Sequence, residues 1–127
     1  MSAVHVLVWI DHQRARLIEL TNGETNAIRL GSDAPPGARR ASTPDARPID
    51  VQIALFADVA DTISDAASVV IAGPGNDRQA LARYLKANHP TIGGRIIAVE
   101  QMGQATDTML RTYARTYFRL TDRPRSV

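Results

Sequence analysis

Val4, Val6, Val8 and Ile10 alternate with His5, Leu7 and Trp9, so both parities of the stretch are largely apolar and it predicts a strand buried on two faces. Asp11-His12-Gln13-Arg14 breaks the pattern and predicts a turn, because an aspartate carboxylate can accept hydrogen bonds from the backbone amides that follow it. A second strand is expected over Ala15 to Leu20. Thr21-Asn22-Gly23-Glu24 then offers residues tolerant of positive φ, and Thr25 to Leu30 reads as a third strand, which completes an antiparallel meander. From Gly31 to Pro48 the pattern vanishes. Four prolines, two glycines and three arginines with almost no large apolar side chain predict a mobile surface loop over 31–48, and loops of that length inside compact domains are usually functional or disordered.

The period then changes. Leu55, Val59 and Ile63, with Phe56 and Ala60 beside them, form the stripe of an amphipathic helix that starts near Ile49 or Asp50 and ends near Ala66. Val69 to Ala72 is a short apolar strand running into Gly73-Pro74-Gly75, and Asn76 or Asp77 is placed to cap a second helix that buries Leu81, Tyr84 and Leu85. That helix must stop before Pro90. Gly93-Gly94 predicts a turn, Arg95 to Val99 a fifth strand, and Thr106 the cap of a last helix whose Met109, Leu110, Tyr113, Ala114, Tyr117 and Phe118 face inward. Residues 121–127 form a polar tail. The expected fold is α/β: a three-strand meander followed by alternating helix-strand-helix-strand-helix. Such an order builds a mixed sheet with the first strand central and helices on both faces, as in ribonuclease H-like folds.

With 127 residues, 44% of them hydrophobic, the chain reads as one domain spanning 1–127 with enough apolar side chains for a core. It has no cysteine, which excludes disulfides, a thiolate nucleophile and cysteine-ligated metal. The longest apolar runs are too short to cross a bilayer and the first residues do not resemble a signal peptide, so the cytoplasm is the expected location and no membrane partner is expected. The formal net charge of +2 is modest, yet of 15 basic residues only Lys86 is lysine. Arginine suits bidentate phosphate contact and stacking on bases. A compositional bias toward arginine and alanine explains the same count, so position has to discriminate.

Three stretches carry a resemblance: Val8-Trp9-Ile10-Asp11-His12-Gln13-Arg14-Ala15-Arg16, the Ile71-Ala72-Gly73-Pro74-Gly75 turn with its following helix, and Val99-Glu100 leading to Thr106-Asp107. They resemble the bacterial relatives of archaeo-eukaryotic peptide-chain release factors, of the single-domain type often labelled translational machinery proteins. Over roughly residues 4 to 119 the element order is similar to the central domain of the eukaryotic class I release factor and of Pelota. The resemblance implies a translation-related domain whose partner is the ribosome or a structured RNA. In release factors the loop after the third strand holds the Gly-Gly-Gln tripeptide that acts in ester hydrolysis. Here that loop has no such tripeptide, and the only paired glycines, Gly93-Gly94, precede arginine. The codon-reading and partner-binding parts of a full factor are also missing from this sequence. Peptide release in the usual way is therefore not expected, and the implied role is non-catalytic. Relatives carry a histidine near the position of Gly103, so the resemblance assigns that position no role.

Arg111, Arg115 and Arg119 recur at i, i+4, i+8 on the last helix, opposite its apolar face, and are the first candidates for RNA contact. Arg39, Arg40 and Arg47 could add a mobile arm. A plain solvated face, favoured by positive charge near a helix C-terminus, accounts for the row equally well. An alternative from another class is a magnesium-dependent nuclease, with Asp11, Glu100 and Asp107 converging on two ions. Against it, Asp11 is explained as a turn former and Asp107 as a first-turn residue that favours the helix dipole. A third reading is an interaction module that pairs with itself or with another protein through an apolar face. No cofactor is expected. Gly73-Pro74-Gly75 reads as a tight turn rather than a phosphate loop, since no basic residue follows in the place a phosphate loop needs. His5, His12 and His89 lack ligand spacing, and Ser32 and Ser42 lack a base pattern.

Overall fold

A computed structural model describes residues 4–31 and 48–121. It contains β1 (His5–Ile10), β2 (Arg14–Thr21), β3 (Glu24–Gly31), α1 (Pro48–Thr62), β4 (Ser68–Gly73), α2 (Asp77–Asn88), the single turn α3 (Pro90–Gly93), β5 (Ile96–Gln101) and α4 (Asp107–Thr121). The five strands form one mixed sheet in the order β3-β2-β1-β4-β5, with β1 in the middle as its two-faced apolar pattern requires. β1 pairs antiparallel with β2 and parallel with β4, β2 pairs antiparallel with β3, and β4 pairs parallel with β5. The expected 31–48 loop, with Arg39, Arg40 and Arg47, and the 121–127 tail lie outside the described residues, except for Gly31, Pro48 and Thr121 at the ends of elements.

Alternation along β1 divides the core in two. Val6, Val8 and Ile10 join Leu55, Val59 and Ile63 of α1, Leu81 and Leu85 of α2, and Ile92 of α3 on one face. Leu7 and Trp9 point the other way and meet Leu110, Ala114 and Phe118 of α4. Among the described residues, three helices therefore cover one face and a single helix covers the other. No helix among the described residues is long and apolar enough to cross a membrane.

The turns follow their local chemistry. Asp11 Oδ1 accepts hydrogen bonds from the amides of Gln13 at 2.9 Å and Arg14 at 3.0 Å, the turn its position predicts. Asn22 and Gly23 take φ of 54° and 83° and close the β2–β3 hairpin. Gly73 is required where β4 leaves the sheet, because a Cβ there would overlap the carbonyl oxygen of Ile10. Thr106 Oγ1 accepts from the Met109 amide at 3.1 Å and caps α4 as expected.

Several boundaries differ from the sequence reading. α1 ends at Thr62, four residues before Ala66, although Ala66 stays buried in the chain that turns toward β4. Gly93 closes the short helix α3, so the turn falls on Gly94 and Arg95. β5 is displaced to Ile96–Gln101, with a register irregularity opposite Val69 and Val70. Met109 does not face inward and is 57% exposed, because the buried arc of α4 is centred on Leu110, Ala114 and Phe118 and Met109 lies beyond Tyr113 on its far side. Asn76 stands at the N-cap of α2 but makes no side-chain cap, and Asp77 turns into the protein instead.

Candidate nucleic-acid interface

α4 lies across the sheet face formed by Leu7, Trp9, Ile18, Leu20, Val70 and Ala72. Its phase fixes what each flank presents. Tyr113 and Tyr117 border the apolar arc on the β5 side, where Tyr113 Oη donates to Glu100 Oε2 at 2.6 Å. Burial and then this hydrogen bond to a carboxylate hold the Tyr113 hydroxyl well above the usual tyrosine range. The opposite border carries Arg111 and Arg115 and runs along β3. Arg111 Nη1 donates to Thr25 Oγ1 at 3.3 Å and Arg115 Nη2 reaches the same hydroxyl at 3.5 Å.

Arg111 and Arg115 therefore lie on a flank, not on the outward ridge their spacing suggests. Arg111 is half-buried and Arg115 exposed, whereas the outward side of α4 presents Thr108, Met109, Thr112 and Thr116. An i, i+4 repeat tells which residues share a stripe, but the angle between that stripe and the sheet is set by packing. Arg119 stands one turn further along the same row of the helix.

Three arginines that sequence spacing does not single out join this flank from the sheet. Arg16 and Arg29 are directly opposed partners across β2 and β3. Arg16 Nη1 donates to the Ala105 carbonyl at 2.6 Å, and Arg29 Nη2 lies 2.6 Å from Asp107 Oδ2. Arg14 ion-pairs with Asp11 at 3.3 Å and donates to Gln104 Oε1 at 3.0 Å. The guanidinium carbons of Arg14 and Arg16 sit 5.6 and 5.7 Å from the ring centroid of Trp9, within cation–π range. Trp9 is buried, and its indole N–H donates to the Gly103 carbonyl at 3.0 Å. The visible clue in the sequence is parity: Arg14 and Arg16 share a strand face with Ile18 and Leu20.

The carboxylates of the nuclease alternative are each engaged by a different partner. Asp11 serves its turn and Arg14, Glu100 accepts from Tyr113, and Asp107 pairs with Arg29 and, at 3.9 Å, with Arg16. Among the described residues no three His, Cys, Asp or Glu side chains gather as a cation site would need. His5 is buried against Ser68 and stacks on Phe118, while His89 packs beside Tyr84. His12 is 85% exposed, yet its Nδ1 lies 3.0 Å from the buried carboxylate of Asp77, which also accepts a hydrogen bond from Gln52. This cluster ties the β1–β2 turn to α1 and α2 at the carboxyl ends of β1 and β4.

Solved structures share this fold. Archaeoglobus fulgidus Pelota superposes with a TM-score of 0.58 at 15% identity, covering 94% of this chain and 35% of its own. Thermoplasma acidophilum Pelota gives 0.58 at 16% identity over 94% of this chain and 32% of its own. The archaeal translation termination factor aRF1 gives 0.60 at 9% identity, with 94% and 39% covered. The chain thus spans about a third of the length of the structures it matches, and it has a release-factor-like fold of mixed α/β type. No family model matches the sequence, and no curated protein matches it either.

Proposed function

We propose that this chain is a ribosome- or RNA-associated domain of the translation apparatus that does not carry out peptide release, and that the α4–β3 flank is its RNA-binding surface. The observation that carries the reading is the alignment of Arg111 and Arg115, with Arg119 on the same row, along β3 of a release-factor-like fold. Guanidiniums held on one line by a helix and an edge strand meet a phosphate backbone without prior ordering, and arginine does so bidentately. The absence of Gly-Gly-Gln from the sequence supports a non-catalytic role. The same reading puts the chain with the single-domain bacterial relatives of release factors, in the cytoplasm, as one domain over 1–127. Arg39, Arg40 and Arg47 belong to the proposal as a supplementary arm on sequence grounds alone.

Ribosome co-sedimentation at graded salt tests it. The triple variant R111Q/R115Q/R119Q is expected to lose most of its association, with the salt slope reduced by about 0.7 to 0.9 per phosphate no longer neutralised. Arg111 is half-buried and Arg115 exposed, and substitutions away from the core change stability by only about half a kcal/mol each, so the fold should persist. Equal sedimentation of wild type and triple variant at every salt concentration would show that the flank is a solvated surface only.

A further inference from the structure

Asp107 is an anionic residue on the α4 side of a flank rich in arginine, as Asp11 is beside Arg14. It begins the same i, i+4 row as Arg111 and Arg115, and its carboxylate lies 2.6 Å from Arg29 Nη2 and 3.9 Å from Arg16 Nη1. Arg16 and Arg29 face each other across β2 and β3, an arrangement of like charges that is unfavourable unless an anion lies between them. The other carboxylates of these strands, Glu19 and Glu24, have the opposite parity to Arg16 and Arg29 and lie on the other face of the sheet. Asp107 is thus the carboxylate that these two strands and the first turn of α4 supply to the Arg16–Arg29 pair.

We infer that Asp107 is a built-in counter-ion that holds the place of a phosphate, and that an RNA backbone lying along α4 and β3 displaces it to reach Arg16 and Arg29. The inference rests on the proposed function and deepens it: the binding surface acquires two sheet arginines, and one carboxylate sets its affinity. Because Asp107 is tethered to the helix beside its partners, it competes at high effective concentration. A single phosphate group cannot match that advantage, whereas a polyanion already held by Arg111 and Arg115 delivers its next phosphate intramolecularly. The surface would therefore discriminate a polymer backbone from free anions.

Fluorescence anisotropy with a labelled oligouridylate, measured over graded potassium chloride, separates the outcomes. D107N should bind severalfold more tightly than wild type, with a salt slope steeper by about 0.7 for each additional phosphate neutralised on a single strand. R29Q should bind more weakly than wild type although its arginine is paired in the free protein. The double variant D107N/R29Q should lose most of the enhancement. Circular dichroism melts report whether each chain is folded, and R29Q in the otherwise unchanged chain keeps the test decisive if D107N does not fold. Wild-type affinity in folded D107N, or in R29Q, would overturn the inference while leaving the proposed function in place. Failure of wild type, R29Q and D107N alike to bind at low salt would remove both.

Discussion

On one face of the sheet, α1, α2 and α3 lay a broad apolar layer over Val6, Val8 and Ile10, and the polar His12–Asp77–Gln52 cluster is confined to its rim. On the other face α4 is the one helix among the described residues, and the apolar strip of Leu110, Ala114 and Phe118 is bordered by arginines along β3 and by a tyrosine–glutamate pair along β5. The same central strand supplies both faces by simple alternation, so the difference does not originate in β1. It arises from how much cover each side has. One helix cannot span five strands, and the strand positions it leaves at its edges are filled by side chains that bring an apolar stem to the core and a charged head to water. The better-covered face is suited to stability, and the other carries the surface proposed above to meet a charged partner.

The largest loss on the one-helix face is expected of Phe118→Ala. Phe118 is buried, stacks on His5 with centroids 5.0 Å apart and meets Tyr117 edge-on, and truncation of such a ring costs about 3–5 kcal/mol. Chemical denaturation should show that loss, and with the seat of α4 damaged, RNA binding should fall with it. Leu81→Ala in α2 should cost about 2–5 kcal/mol for the same reason on the three-helix face. There the expectation diverges, because the variant should retain its RNA affinity at temperatures where it is still folded. Equal loss of binding in both variants would mean that the two faces are not functionally distinct.

A smaller effect is expected of Asp11→Ala, which removes the acceptor for two turn amides and the partner of Arg14. Such side-chain caps are worth about 1 kcal/mol, and the thermal midpoint should fall accordingly without loss of the oligouridylate interaction. Tyr113→Phe should be the mildest, with about 0.5–1.5 kcal/mol lost with the Glu100 hydrogen bond. Its signature is in the pH dependence. The Tyr113 pKa is raised on folding above the ordinary 10.0, so its contribution is complete below that pH and is lost as the pH climbs through the folded value. Denaturation curves measured upward from pH 10 should therefore decline less steeply for Tyr113→Phe than for wild type.

Much of this architecture is readable from spacing. The two-faced pattern of Val4 to Ile10 places β1 at the centre, Asp11 announces its turn, Asn22-Gly23 the hairpin, and Thr106 the cap of α4. Local pattern falls short at Asp77, whose position marks it as a cap but which points at His12 and Gln52 from two other elements. It fails at Met109, where an apolar side chain next to a buried one reads as inward and is exposed.

Which residues are extended, which are helical and which side chains share a stripe follow from the order of residues alone, because the periods of strand and helix act within a few residues. The common row of Arg111, Arg115 and Arg119 belongs to that class. Packing, by contrast, was needed to set Arg111 and Arg115 beside β3, to stand Arg16 and Arg29 opposite each other beneath the first turn of α4, and to bring Asp107 between their charges. Those three groups come from β2, β3 and α4 and are separated by up to 91 positions in the chain (107 − 16). Their meeting depends on the rotation of a helix about its axis, and that rotation is fixed by the burial of Leu110, Ala114 and Phe118 against the sheet, not by any local preference of the residues themselves.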